Sequence, residues 1–176
     1  MWAWKRLAGI CFVLSEGILI CACTDTRYYV VKSFNHENVK VAQKDNIWAT
    51  QEKNEELFRE AFEMSRDVIL IFSVNKSRAF QGYARMESPP DPKTATPTWS
   101  KSLLWKSSAP FTIRWLTICE VNFGRIGHLN NKYNENQPVL IGRDGQEIDP
   151  ETGAELCRVI DERAQYYENK NQHQDR

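Results

Sequence analysis

The 176 residues allow one domain of ordinary size, with some chain to spare at each end. Hydrophobic residues make up 41% and aromatics 11%, enough for a globular core, so a wholly disordered or fibrous chain is excluded. Lys plus Arg and Asp plus Glu each total 23, and the net charge of zero excludes a surface that grips nucleic acid everywhere. A local groove carrying a few Lys and Arg remains compatible with that balance.

Residues 1–26 form an atypical apolar leader. Lys5 and Arg6 precede the run Leu7 to Cys23, in the manner of a secretory signal. Glu16 interrupts it, and the intact pieces are too short to span a bilayer. The expectation is a leader without fixed structure, with a secretory or membrane signal as the alternative. Of the five cysteines, Cys11, Cys21 and Cys23 lie there; Cys119 and Cys157 lie far apart in the body of the chain. No CxxC pair occurs, and no histidine stands at ligand spacing from a cysteine. A structural zinc is not expected, and Cys119 and Cys157 read as reduced, buried thiols.

Arg27 to Lys32 is β-branched and aromatic, and reads as a strand. Ser33-Phe34-Asn35-His36-Glu37 resembles a cap opening a short helix. Asn46 to Thr50 reads as a turn. Gln51 to Arg66 reads as a helix with Leu57, Phe58, Ala61 and Phe62 on one face, and with Glu55 and Glu56 on its solvated side. Val68 to Val74 is continuously apolar, a strand buried on both faces. Ala79 to Glu87 pairs with it through the polar turn Asn75 to Arg78. Ser88 to Thr98 holds four of the seven prolines and is a surface loop.

Phe111 to Ile118 alternates as another strand, with Trp115 in its core-facing set. Asn130 to Gln137 reads as loop, and Val139 to Ile141 as a short strand. Asp149, Pro150 and Glu151 are the N-cap and first turn of a last helix, with Leu156, Val159 and Ile160 as its buried stripe. Beyond Ala164 the chain is polar and is expected to fray, leaving residues 164–176 as a tail. Strands and helices interleave irregularly, so the pattern predicts a mixed α+β fold.

Motifs for catalysis are missing from the sequence: it has no GxSxG, P-loop, GxGxxG or HExxH, and no nucleophile stands to partner His36. The reading is a binding protein without a cofactor. Trp48, Trp99 and Trp105 each lie in or beside a loop. Tryptophans so placed either cover the core or form a recognition surface, and spacing alone does not choose between the two.

Longer strings resemble a known family. Arg27-Tyr28-Tyr29-Val30-Val31-Lys32-Ser33, then Asn35-His36-Glu37-Asn38-Val39, looks like the opening of a YTH domain. The likeness continues through Ile47-Trp48-Ala49-Thr50, Asn54, Val68 to Val74 and Phe80-Gln81-Gly82-Tyr83-Ala84-Arg85-Met86. It resumes at Ile113-Arg114-Trp115 and His128-Leu129, and closes with Asn134 to Val139 and Gly142-Arg143-Asp144-Gly145-Gln146-Glu147. It covers residues 27–163.

The resemblance implies an open six-stranded β-barrel flanked by helices, of the PUA-like kind. It also implies recognition of N6-methyladenosine in single-stranded RNA, and a role in post-transcriptional control of mRNA. Trp48 and Trp99 match two walls of the family's aromatic cage, and Trp105 is the choice for the third, with Leu103 or Leu104 as alternatives. Ala49 would offer its carbonyl to the N6 hydrogen, Asn38 would face N1, and the Phe34 N–H would face N3, with Ser33 beside them. Lys32 and Arg143 match backbone contacts, and Asp144 would order the pocket wall.

Asn38 together with Gly142 to Glu147 looks more like the nuclear and cleavage-and-polyadenylation branches than the cytoplasmic one. Nuclear location is therefore expected, with the cytoplasm as the alternative. RNA-processing proteins are the expected further partners of a monomeric domain. Glu55 and Glu56 stand where relatives often carry Lys or Arg, which would weaken RNA binding. They leave a degenerate domain serving as a protein-interaction scaffold as the alternative function.

Overall fold

The computed structural model describes residues 26–103 and 105–174, so residues 1–25 of the leader lie outside the described residues, while Thr26 opens the first strand. The β-branched opening forms β1 (Thr26–Ser33), and the apolar run forms β3 (Asp67–Val74). These two strands are parallel, with Thr26 opposite Asp67 and Ser33 opposite Val74. A parallel pair needs a long crossover. It is supplied by α1 (His36–Asp45), β2 (Ile47–Trp48) and α2 (Glu55–Met64). Antiparallel neighbours follow: β4 (Ala79–Met86) on β3 and β5 (Phe111–Asn122) on β4. The sheet order is β2-β5-β4-β3-β1-β8, with β8 (Gln146–Ile148) antiparallel to β1. Curled and open, this six-stranded sheet with its helices is the expected α+β half-barrel.

The sheet has a core on each face. Tyr29, Val31, Leu70, Phe72, Ala84 and Met86 pack with Phe58 of α2, Val39 of α1 and Trp48. On the other face Val30, Ile69, Ile71 and Tyr83 pack with Leu156 and Ile160 of α3 (Pro150–Gln174). Burial on both faces is why β3 is continuously apolar rather than alternating.

Several local expectations change. Ile47–Trp48 is a strand rather than a turn, because Trp48 pairs with Phe111 and Ile47 with Thr112. A two-residue edge strand has too little sequence for its period to show, and its partner decides it. The helix expected from Gln51 starts at Glu55, after a 3-10 turn over Glu52–Asn54, because Asn54 is buried and its amide is engaged inward. The cap of α1 is Asn35, whose side chain accepts from the Asn38 N–H at 2.8 Å. β5 runs four residues past Ile118.

Val139 to Ile141 is a turn, closed by the Ile141 N–H donating to Pro138 O. The strand pair there is β6 (Asn130–Asn131) with β7 (Gln137–Pro138). The helix α3 begins as expected, with Asp149 Oδ1 accepting from the Thr152 N–H. It then continues to Gln174 instead of fraying at Ala164. Glu, Gln and Lys are good helix formers, and Arg163 lies over the rings of both Tyr166 and Tyr167. Among the described residues no helix is long and apolar enough to cross a membrane.

Candidate functional site

Four segments converge at one end of the sheet. The first is the end of β1 and the bend into α1, bringing Lys32, Ser33, Phe34 and Asn38. The second is the segment leaving β2, which carries Trp48, Ala49, Thr50 and Gln51. The third is the loop around the 3-10 turn Thr98–Ser102, with Trp99 and Trp105. The last is Asp144, in the turn before β8. All line one slot, so every site residue expected from sequence meets there except Arg143. Arg143 lines the next basin, together with Lys32, Phe34, Trp105 and Asp144.

Trp48 is 3% exposed and rigidly set. Its ring meets Phe72 edge-on at 5.0 Å, and Phe72 in turn lies 4.6 Å from Trp115. Trp115 is half-buried, and its indole N–H donates to Ala42 O. The core and recognition readings of these tryptophans thus divide along the row: Trp115 serves the core, whereas Trp48 is the last core ring and the first wall of the slot. Trp99 lies on Trp48, with centroids 4.9 Å apart and planes tilted by 47°. Trp105, 42% exposed, stands at the rim. Leu103 packs on the core instead, and Leu104 lies outside the described residues.

With the two indoles in contact, the slot keeps a cavity of about 20 Å³, room for about one water. The Trp99 segment is tied locally, by Ser100 N–H and Oγ to Pro97 O and Leu103 N–H to Ser100 O. The chain just after Trp105 is clamped instead. Ser108 N–H donates to Thr50 O, Thr50 N–H to Ser108 Oγ, and Glu52 N–H to Lys106 O.

Glu55 belongs to that clamp. Its carboxylate accepts from the Ala109 N–H at 2.7 Å and from Arg59 at 3.0 Å, so it is not merely the solvated face of a helix. Glu56 does point to solvent, with its side chain 83% exposed.

Asp144 is the polar hub. Its carboxylate accepts from the Lys32 N–H (2.9 Å), the Thr50 hydroxyl (2.7 Å), Gln51 Nε2 (3.3 Å) and Asn54 Nδ2 (3.0 Å). One side chain therefore holds β1, the Trp48 segment and the turn before β8 in register. Gly145 is required beside it: φ is +82°, and a Cβ would lie 2.9 Å from the Asn54 amide. Thr50, Gln51 and Asn54 were missed as supports. Their polarity and their spacing after Trp48 are the only sequence signal, and the partner is 90 or more residues away.

Lys32 turns its ammonium toward Ser73 Oγ (3.4 Å) and the Phe123 ring (5.8 Å). Burial lowers its pKa, and the Asp144 charge opposes that shift. Arg143 and Lys53 are exposed around the adjoining basin, and neither has an ion-pair partner among the described residues.

Comparison with known proteins identifies the family. Residues 26–161 match the family model described as YTH, the YT521-B-like domain. Among curated proteins, the chain is 42% identical over 136 residues to zinc finger CCCH domain-containing protein 45 of rice (Oryza sativa subsp. japonica), covering 77% of this chain. It is 42% identical over 135 residues to the 30-kDa cleavage and polyadenylation specificity factor 30 of Arabidopsis thaliana, covering 76%. It spans only about a fifth of the length of either relative (20% and 21%).

Among solved structures, the Toxoplasma CPSF4 YTH domain in complex with a 7-mer m6A-modified RNA superposes with a TM-score of 0.74 at 33% identity, over 78% of this chain and 92% of that one. The Zygosaccharomyces rouxii MRB1 YTH domain in complex with N6-methyladenosine RNA gives 0.69 at 27% identity, over 77% and 84%. With its half-barrel, its converging tryptophans and a family match over most of its length, the chain belongs to the YTH (YT521-B-like) domain family.

Proposed function

We propose that this domain reads N6-methyladenosine in single-stranded RNA, by holding the flipped-out base between Trp48, Trp99 and Trp105. The observation that carries the reading is their convergence on one slot with Ala49 and Asn38. The base enters when Trp99 swings away from Trp48 and then takes up the indole faces the two now give each other. The ligand is neutral, so the cage works by apolar burial rather than by attraction of a cation. A buried methyl is worth roughly 0.8 kcal/mol, and aromatic packing adds about 0.5–1.5 kcal/mol. Together these favour methylated over plain adenosine roughly ten- to fifty-fold.

Adenine is selected by polar groups: the Asn38 amide donates to N1, the Phe34 N–H to N3, and the Ala49 carbonyl accepts the N6 hydrogen. A wrong base leaves one of these unpaired, at a cost of about 1–3 kcal/mol. A base must leave its stack to enter, so single strands are the substrate. The likeness to the Arabidopsis cleavage and polyadenylation factor supports a nuclear role in mRNA processing. The scaffold alternative loses part of its support, because the Glu55 carboxylate is taken up by Ala109 N–H and Arg59 and does not face an RNA strand freely.

Titration of one short RNA, with and without the N6-methyl group, tests the reading. The methylated form is expected to bind roughly ten- to fifty-fold tighter; equal affinity for the two would reject the cage. Arg143→Ala is expected to weaken both forms about equally and to reduce the salt slope by about 1. A variant that altered base choice and left the salt dependence intact would remove Arg143 from the backbone path.

A further inference from the structure

The cage explains Trp48 and Trp99 but not the exposure of Phe34. Its ring is 70% exposed at the bend between β1 and α1. Single exposed apolar side chains are common on protein surfaces and mean little alone. Here the neighbours give the exposure meaning. Phe34 lines both the slot and the adjoining basin of about 590 Å³, as does Trp105. Lys53 and Arg143, two cations with no ion-pair partner among the described residues, line the same basin. An accessible ring beside free positive charge is the makeup of a site for one nucleotide of a single strand: the base stacks, and the cations take its phosphate.

The backbone that carries the ring is also held in place. Ser33 Oγ donates to Asn35 O at 2.7 Å, and Asn35 caps α1. The backbone on both sides of Phe34 is therefore fixed, and little ordering is needed when a base arrives.

We infer that this basin is a second subsite, in which the nucleotide next to the methyladenosine stacks its unmodified base on Phe34. The inference rests on the reader function proposed above. A phenyl ring has no hydrogen-bonding group, so the subsite distinguishes bases by stacking area and favours purines over pyrimidines without reading one letter.

The test uses trinucleotides with a central N6-methyladenosine flanked by purines, and partners in which one flank or the other is an abasic residue that keeps the phosphate. On one side, removing the base is expected to weaken wild-type binding about five- to tenfold. With Phe34→Ala that base-to-abasic ratio is expected to fall to about one, and with Phe34→Tyr to persist. An unchanged ratio in Phe34→Ala, or no ratio on either side in the wild type, would overturn the subsite. The methylated-to-plain ratio, measured in the same series, reads the cage separately. If it is present while the base-to-abasic ratio ignores Phe34, the subsite falls and the reader stands. If the wild type shows no methyl preference, both fall.

Discussion

Trp99→Ala is expected to bring methylated and plain RNA to within about twofold of each other, erasing a preference worth roughly 1.4–2.3 kcal/mol. The domain is expected to stay folded, because Trp99, although buried against Trp48, sits outside the strands on a loop that Ser100 and Leu103 tie to itself. Trp48→Ala should erase the same preference but at a structural cost. Trp48 is the outer ring of the row through Phe72 and Trp115, and large-to-small changes of buried aromatics cost about 3–5 kcal/mol. Melting curves taken beside the titrations separate lost recognition from lost fold. Trp99→Ala protein that remained folded and still preferred methylated RNA by tenfold would place the methyl group outside this slot.

The second large effect is expected at Asp144. Its carboxylate satisfies four donors from three segments, two of them the backbone N–H of Lys32 and the hydroxyl of buried Thr50. In Asp144→Ala those donors lose their acceptor together. A buried group left unsatisfied costs about 1–3 kcal/mol, so the total is expected to reach roughly 2–4 kcal/mol once partial relaxation is allowed. RNA binding should fall with it, because the same contacts align Lys32 with the Trp48 segment. Asp144→Asn keeps the volume and one acceptor but turns an amide toward donors, so it should lie between the two. Urea unfolding measures the stability. A change under about 0.5 kcal/mol for Asp144→Ala, in the range of an ordinary surface substitution, would show that the hub is not needed to hold the site.

These two sites illustrate different kinds of support. On the proposed reading the tryptophans act through faces that the base would share, so their packing and their function compete for the same surface. The short approach of Trp99 to Trp48 follows from that: two adjacent indoles bury their own faces whenever nothing lies between them. On that reading recognition includes the cost of parting them, and the ring expected to move is Trp99, carried by the locally tied loop. Asp144 acts by holding together the segments that form the slot, through donors from β1, the Trp48 segment and Asn54. Glu55 does the same for the other flank, where it fixes Ala109 and, through it, the segment that follows Trp105.

By itself the sequence determined the elements whose pattern is long enough to carry a period or a cap. The continuous apolar run of β3, the amphipathic face of α2 and the Asp149-Pro150 start of α3 are local facts of composition, because burial and capping act within a few residues. Its longer strings were also enough to identify the family. What only the tertiary structure decided depends on partners far along the chain. β2 and β8 exist because β5 and β1 pair with them, and so few residues cannot announce a strand alone. Trp48 and Trp99 could each have been core or surface until the sheet brought them within 4.9 Å. Glu55 reads as a solvated acid, and family resemblance alone assigns Asp144 to the pocket wall; only folding supplies the donors that make both structural, since a hydrogen bond across the fold leaves no trace in local spacing.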